Sequence, residues 1–215
     1  MSRLPTISTM PFEHRTVFRA DDENVNVYKL LTAVVVPRPI AWVTTLSAQG
    51  TVNLAPHSFY TVACARPPIV QFSSVGRKDT LRNVVATEEF VVNLAYGPLI
   101  EAVNNTSAAF ANHESEPAHL GITMEPSTVV RPPRVKDSPV SIECTLHSTV
   151  ELDDSTVVFG SVQVITVADQ VLVDGHPDYD RLDPLTRLGK DEWGVRARVR
   201  SIRRPRRPED IRGQL

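Results

Sequence analysis

Glycine is scarce: the chain has 9 among 215 residues, and no two stand two positions apart. The GxGxxG turn that packs a dinucleotide against a strand–helix junction is therefore excluded. No glycine lies five residues before Gly189-Lys190, which removes the P-loop, and no GxSxG elbow is present for a hydrolase nucleophile. Cysteine is scarcer still. Cys64 and Cys144 stand eighty positions apart with no CxxC pair and no zinc-like Cys/His spacing, so reduced core thiols are expected rather than a disulfide framework or a metal site. Long apolar runs are also missing. Pro39 to Ala65 is uncharged, but Gln49, Gly50, Asn53 and a further proline, Pro56, interrupt it, so it is not a membrane span. The opening MSRLPTISTMPFEH has no apolar signal region, and a cytoplasmic address is expected.

What remains is ordinary globular material, with 41% hydrophobic and 22% charged residues, enough for one sizeable domain without disulfides or metals. The formal net charge is −2, so no global field calls for nucleic acid or an acidic membrane. Its distribution is uneven. From Gly194 onward eight arginines face only Glu209 and Asp210, a local +6 that leaves −8 for the rest. Within that end, RARVRSIRRPRR alternates charged and apolar residues and is expected to begin as a last strand and finish as a tail. It lacks the interleaved aromatics that stack on bases, so nucleic acid is not an expected partner.

Prolines number 17 and suit strands and rigid turns. A short helix is expected near Val27 to Thr32. Beyond it, VVV, IAWVTTL, TVNLA and PPIVQFSSV are short β-branched or aromatic runs bounded by turn residues. The Ser47-Ala48-Gln49-Gly50 turn joins two of them as a hairpin. After Lys78 the spacing of Leu81, Val84 and Val85 predicts a helix of about two turns capped by Asp79 or Thr80. FVVNL is a strand, and Gly97-Pro98 opens a second helix with Leu99, Ala102, Val103 and Phe110 inward. In SPVSIECTLHSTV, Val140, Ile142, Cys144 and Leu146 alternate with Ser141, Glu143, Thr145 and His147, which predicts one buried and one wet face. VVFGSVQVITV and VLVDG follow as two more strands of an antiparallel meander. Many short strands with a few short helices inserted make the fold mainly β, a barrel rather than a doubly wound α/β sheet.

Two places carry potential chemistry. His113, Glu114, Glu116 and His119 cluster, but the histidines are six apart with Pro117 between, so a solvated loop is expected and no metal. The stretch from 34 to 95 places Thr44, Thr45, Asn53, Ser58, Ser73 and Ser74 at strand ends, followed by Lys78 and the helix start at Asp79-Thr80. Hydroxyls, a lysine and a helix N-terminus together suit a phosphate. Small Ala55 would let a flat ring lie against backbone. On spacing alone a second reading stands slightly ahead, in which these residues fill turns and cap one helix.

The segment VVVPRPIAWVTTLSAQGTVNLAPHSFYTVACARPPIVQFSSVGRKDTLRNVVATEEFVVNLA, with VVRPPRVKDSPVSIEC, FGSV and DPLTRLGKDEW later, resembles the flavin reductase-like family of FMN-binding split β-barrels. The resemblance covers residues 28–195, with 1–27 as a variable lead-in and 196–215 as an arginine-rich strand or tail. It implies a homodimer with FMN at the subunit interface, FAD being the alternative, and NAD(P)H as electron donor. The ring would lie against Thr44, Thr45, Leu46 and the segment Asn53, Ala55, Pro56, His57, Ser58. The phosphate would meet Ser73, Ser74, Lys78, Asp79 and Thr80. Arg187 would lie near the flavin or the partner's loop, and Arg38 would contact an anion or form an interface ion pair. The implied function is an FMN-dependent oxidoreductase, foremost an NAD(P)H:flavin reductase passing hydride to flavin N5, serving an oxygenase or another acceptor. Alternatives are a flavoprotein with fixed FMN acting on another small molecule, or a non-enzymatic flavin- or anion-binding protein. No side chain is expected to be catalytic, since the flavin carries the difficult step. The chain departs from the family pattern at His57, where an aromatic or apolar residue is frequent, at Lys190 in place of glycine, and at Trp193 in place of tyrosine.

Overall fold

The β-branched runs fold as expected into strands, seven of which form one antiparallel sheet in this computed structural model, which describes residues 14–207. In chain order they are β1 (Ala41–Leu46), β2 (Val52–His57), β3 (Tyr60–Cys64), β4 (Ile69–Val75), β5 (Glu89–Leu94), β6 (Val140–Leu152) and β7 (Ser155–Val167). Their spatial order is β2-β1-β5-β6-β7-β4-β3. The two edges, β2 and β3, are joined by only Ser58 and Phe59. A flat sheet of seven strands would separate its edges by roughly 29 Å at about 4.8 Å per strand. Two linking residues reach no more than about 11 Å. The sheet must therefore curl until its edges nearly meet, and the seam between them is the split in a barrel.

Period-two alternation along β1 then explains why that strand reads as almost wholly apolar. Ala41 and Val43 point into the barrel with Val70, Phe72, Leu81, Val84, Phe90, Val92, Cys144 and Val158. Ile40 and Trp42 point outward into a second cluster with Leu54, Ala95, Val103, Val135 and Leu185. Burying Phe72 and Phe90 contributes roughly 1.5–3 kcal/mol each, and the two rings meet edge-on at 5.6 Å. Gly160 on β7 is required there, because a Cβ would run into the Phe90 ring. Helix α1 (Val27–Val34) lies outside the sheet with no buried residue, while α2 (Asp79–Thr87) sends Leu81 and Val84 into the barrel core.

Several expectations need correction. Ser141 and Glu143 are buried at 2% and 0% exposure, so the polar face of early β6 is not wet. The loop before β6 folds back, and the Thr128 and Val129 N–H groups donate to the Glu143 carboxylate, each at 2.7 Å. Burial works to raise that carboxyl's pKa, but these donors more than offset it and hold it below the usual range. Residues 172–173 do not extend the meander; they pair with His176–Pro177 in a separate ribbon. Lys78 occupies the N-cap of α2 and no side chain caps it, neither Asp79 nor Thr80. Helix α3 (Ile100–Asn105) ends before Phe110, which packs on His119 instead. Residues 195–207 form no strand; the last one is Trp193–Gly194. Cys64 is half-buried rather than in the core, and both thiols are free. Among the described residues no helix is long and apolar enough to cross a membrane, and no group of side chains is arranged to hold a metal.

Candidate functional site

Strand β2 sits at the seam, so alternate backbone groups face away from the sheet. Leu54 N–H faces outward and donates to Glu116 Oε2 at 3.0 Å. Two residues on, Pro56 has no N–H to offer, which keeps this edge from recruiting another strand. The seam is further held where Ser73 N–H donates to Phe59 O at 2.9 Å and the His57 Nδ1 lies 3.3 Å from Ser73 O. Next to it, Gly76 takes the left-handed conformation at φ +74, reversing the chain from β4 into α2.

A cavity of about 560 Å³ opens at this junction, within the size range of small-molecule and cofactor sites. One wall is Asn53, Ala55, Pro56, His57 and Ser58 from β2 and its exit. The floor is Ser73 with Lys78 and Asp79 from the start of α2. The Lys78 ammonium has no ion-pair partner among the described residues, and the uncapped first turn of α2 leaves backbone N–H groups at the rim. Arg82 is committed elsewhere, to Asp79, Asn112 and Arg77 O. Tyr28 from α1 and Phe59 cross the mouth with ring centroids 6.5 Å apart. The opposite wall is Thr106 to Phe110, anchored to the core because Trp42 Nε1–H donates to Thr106 Oγ1 at 2.9 Å.

Two titratable groups in the wall are perturbed. His57 is packed at 4.7 Å against Phe72 with its Nε2 buried and unpartnered. Burial, assisted by Lys78 and opposed by the bond to Ser73, pulls its pKa down to about 4, so the imidazole is neutral at pH 7. Glu116 is raised, burial outweighing the Leu54 bond.

The structure thus brings together Asn53, Ala55, Pro56, His57, Ser58, Ser73, Lys78 and Asp79 around one cavity. It does not bring Thr44, Thr45, Ser74 or Thr80 to its surface. All four are buried at 0–2% exposure. Thr44 accepts from Asn93 Nδ2 at 2.8 Å; Thr45 accepts from Asn53 and Asn83; Thr80 accepts from Asn53; Ser74 donates to Gly76 O. Their hydroxyls brace the wall from behind and are spoken for. Leu46 lies at the far end of β1 and does not line the cavity. Arg187 stands in an adjoining hollow with Trp193. Among the described residues Arg38 pairs with no carboxylate. It is buried and clasps Thr32 O, Val35 O at 2.9 Å and Leu188 O at 2.8 Å, holding the C-terminal end of α1. Sequence reasoning missed the Thr106 to Phe110 wall and Glu116. His113, Glu114 and His119 are exposed as expected, but Glu116 is buried and faces the cavity.

Residues 33–183 match the model of the flavin reductase like domain. The chain belongs to that family. An uncharacterized protein of Aquifex aeolicus is 39% identical over 169 residues, covering 76% of this chain and 86% of that one. Nitrilotriacetate monooxygenase component B from Bacillus cereus superposes with a TM-score of 0.82 at 28% identity, covering 89% of this chain and all of that one. A split-barrel protein from Shewanella frigidimarina shares the fold at a TM-score of 0.77, with 22% identity and coverage of 82% and 91%. The flavin reductase-like split barrel is therefore the architecture of this chain, and its chemistry is that of a flavin-related oxidoreductase.

Proposed function

We propose that this protein is an FMN-dependent oxidoreductase, foremost an NAD(P)H:flavin reductase, working in the cytoplasm as a homodimer. The observation that carries this reading is a single cavity with two chemistries. At one end stand an unpaired Lys78 and the uncapped start of α2, suited to a phosphate. At the other stand Ala55, Pro56, Tyr28 and Phe59, suited to a flat ring. Lys78, Ser73 and the first turn of α2 would hold the phosphate, and Asn53 to Ser58 would bear the ring. Bound flavin would supply hydride acceptance at N5. His57, neutral and buried, keeps charge away from the ring, while Glu116 fixes the edge of β2 and so the position of the whole wall. FAD is the alternative cofactor.

The dimer is supported by the apolar face beside the mouth. Leu31 and Val34 of α1 and the adjoining Val35 are exposed at 54%, 69% and 58%, and Val62 on edge strand β3 at 69%. A second copy covering this face would also cover Tyr28 and Phe59, closing the cavity. The relative from Bacillus cereus is a monooxygenase component, which supports delivery of reduced flavin to an oxygenase. Anaerobic mixing with NADH or NADPH tests the reading. Bleaching of the flavin band is expected with at least one donor, and persistence of the band with both would refute the reductase. If turnover needs no added free flavin, the fixed-FMN alternative replaces it.

A further inference from the structure

Arg187 pairs across two short strands with Trp193, and its guanidinium lies 4.7 Å from the centroid of that indole ring. Together they line a hollow of about 160 Å³ bounded by Pro56, Ser58, Asn104 and Ser107. This hollow is continuous with the flavin-type cavity, because Pro56, Ser58 and Ser107 line both. Arg187 is the one charged residue in it, and among the described residues no carboxylate pairs with it. Its Nη2 donates to Lys190 O at 3.0 Å, so the side chain is held in place with donors to spare. Arg38 stands opposite Arg187 in the strand pairing and also bonds only to carbonyls. Neither guanidinium is paired with a carboxylate among the described residues. Asp191 and Glu101 line an adjoining hollow that shares Asn104, Ser107, Arg187 and Trp193 with this one, but neither carboxylate pairs with Arg187 among the described residues.

We propose that this hollow seats a small aromatic carboxylate beside the flavin, its anionic group on Arg187 and its ring over Trp193 and Pro56. The proposal rests on the flavin reading for what occupies the neighbouring cavity, and names the class of molecule that cavity serves. The hollow itself has room for a single ring, since a cavity of about 150 Å³ holds benzene. Chemistry favours a planar acid. Arg187 offers charge-assisted hydrogen bonds, Ser58 and the Asn104 amide offer further donors, and Trp193 offers a face. An aliphatic anion would forgo the ring contact, and a neutral ring would leave the guanidinium unanswered. The departure of this chain from tyrosine to Trp193 enlarges that face.

Trp193 is half-buried in the hollow, whereas Trp42, the second of the chain's two tryptophans, is sealed in the core. Intrinsic fluorescence therefore reports the hollow directly. The purified full chain, with whatever flavin it carries, is titrated with benzoate, benzamide, acetate and AMP. Benzoate is expected to saturate the signal at least tenfold tighter than the other three. Arg187→Gln should weaken benzoate roughly ten- to a hundredfold, to the level of benzamide. Asn104→Asp, at an exposed position, should weaken it as well without touching Arg187. Trp193→Phe should abolish the fluorescence change while calorimetry still detects heat. Equal binding of benzoate and benzamide, indifference to both Arg187→Gln and Asn104→Asp, or saturation by AMP alone would overturn the proposal. Visible absorbance of the same samples separates the two readings. Benzoate binding to a protein that takes up no flavin sinks only the flavin assignment, and flavin binding without benzoate sinks only this one.

Discussion

Replacing His57 by phenylalanine should flatten part of the protein's acid sensitivity. In the folded chain the His57 pKa is drawn down from 6.5 to about 4, because the ring is packed against Phe72 with Nε2 enclosed. The unfolded chain takes up this proton near pH 6.5 and the folded chain only near pH 4. Between those values the unfolded state binds more protons, so stability falls as the pH falls. The contribution of neutral His57 is complete above pH 6.5 and lost as the pH passes through about 4. At about 1.4 kcal/mol per pH unit the difference amounts to ~3 kcal/mol. His57→Phe keeps the packing, gives up one bond to Ser73 worth about 1 kcal/mol, and removes an unpaired buried nitrogen costing about 1–3 kcal/mol. At pH 7.5 the variant should match or slightly exceed the parent. Urea unfolding at pH 7.5 and pH 4 measures both. Carboxylates elsewhere titrate alike in the two proteins and cancel in the difference. The parent should lose ~3 kcal/mol more than the variant between the two pH values. Equal losses would refute the enclosed, neutral histidine.

Gly160→Ala would drive a methyl group into Phe90 and should cost about 1–3 kcal/mol, lowering Tm by roughly 2–12 °C; an unchanged melt would refute the barrel's close packing at that point. Lys78→Ala should weaken FMN by roughly ten- to a hundredfold while leaving riboflavin, which lacks the phosphate, nearly unaffected. Parallel fluorescence titrations of both flavins check it, and equal losses for the two would move the phosphate away from α2. Leu31→Glu together with Val62→Glu should shift the chain from dimer to monomer in light scattering; a monomeric parent would remove the second copy from the account.

Local structure was legible because strand residues announce themselves. The strand β6, the turn ending at Gly50 and the helix after Lys78 all lie where their own residues place them. The curl of the sheet is topological: it follows from β2 and β3 being opposite edges joined by two residues, which no local pattern encodes. Polar strand residues misled for a related reason. Thr44, Thr45, Ser141 and Glu143 read as exposed, yet Asn53, Asn83, Asn93 and the loop at Thr128 fold over them and satisfy each one. Half the cavity, Asn53 to Ser58 and Ser73 to Asp79, is built from two short segments and could be seen as a polar, hydroxyl-rich stretch. The facing wall depends on Trp42 reaching Thr106 across 64 positions, and Glu116 on reaching Leu54 across 62. Those contacts exist only once the chain has folded.

The central claim is that the cavity between β2 and the start of α2 takes a flavin by its phosphate. Titrating the purified full chain with FMN and riboflavin, and following flavin fluorescence, tests it most directly. The account predicts saturable quenching by FMN near one flavin per chain, with riboflavin bound far more weakly. A colourless protein that quenches neither would contradict it.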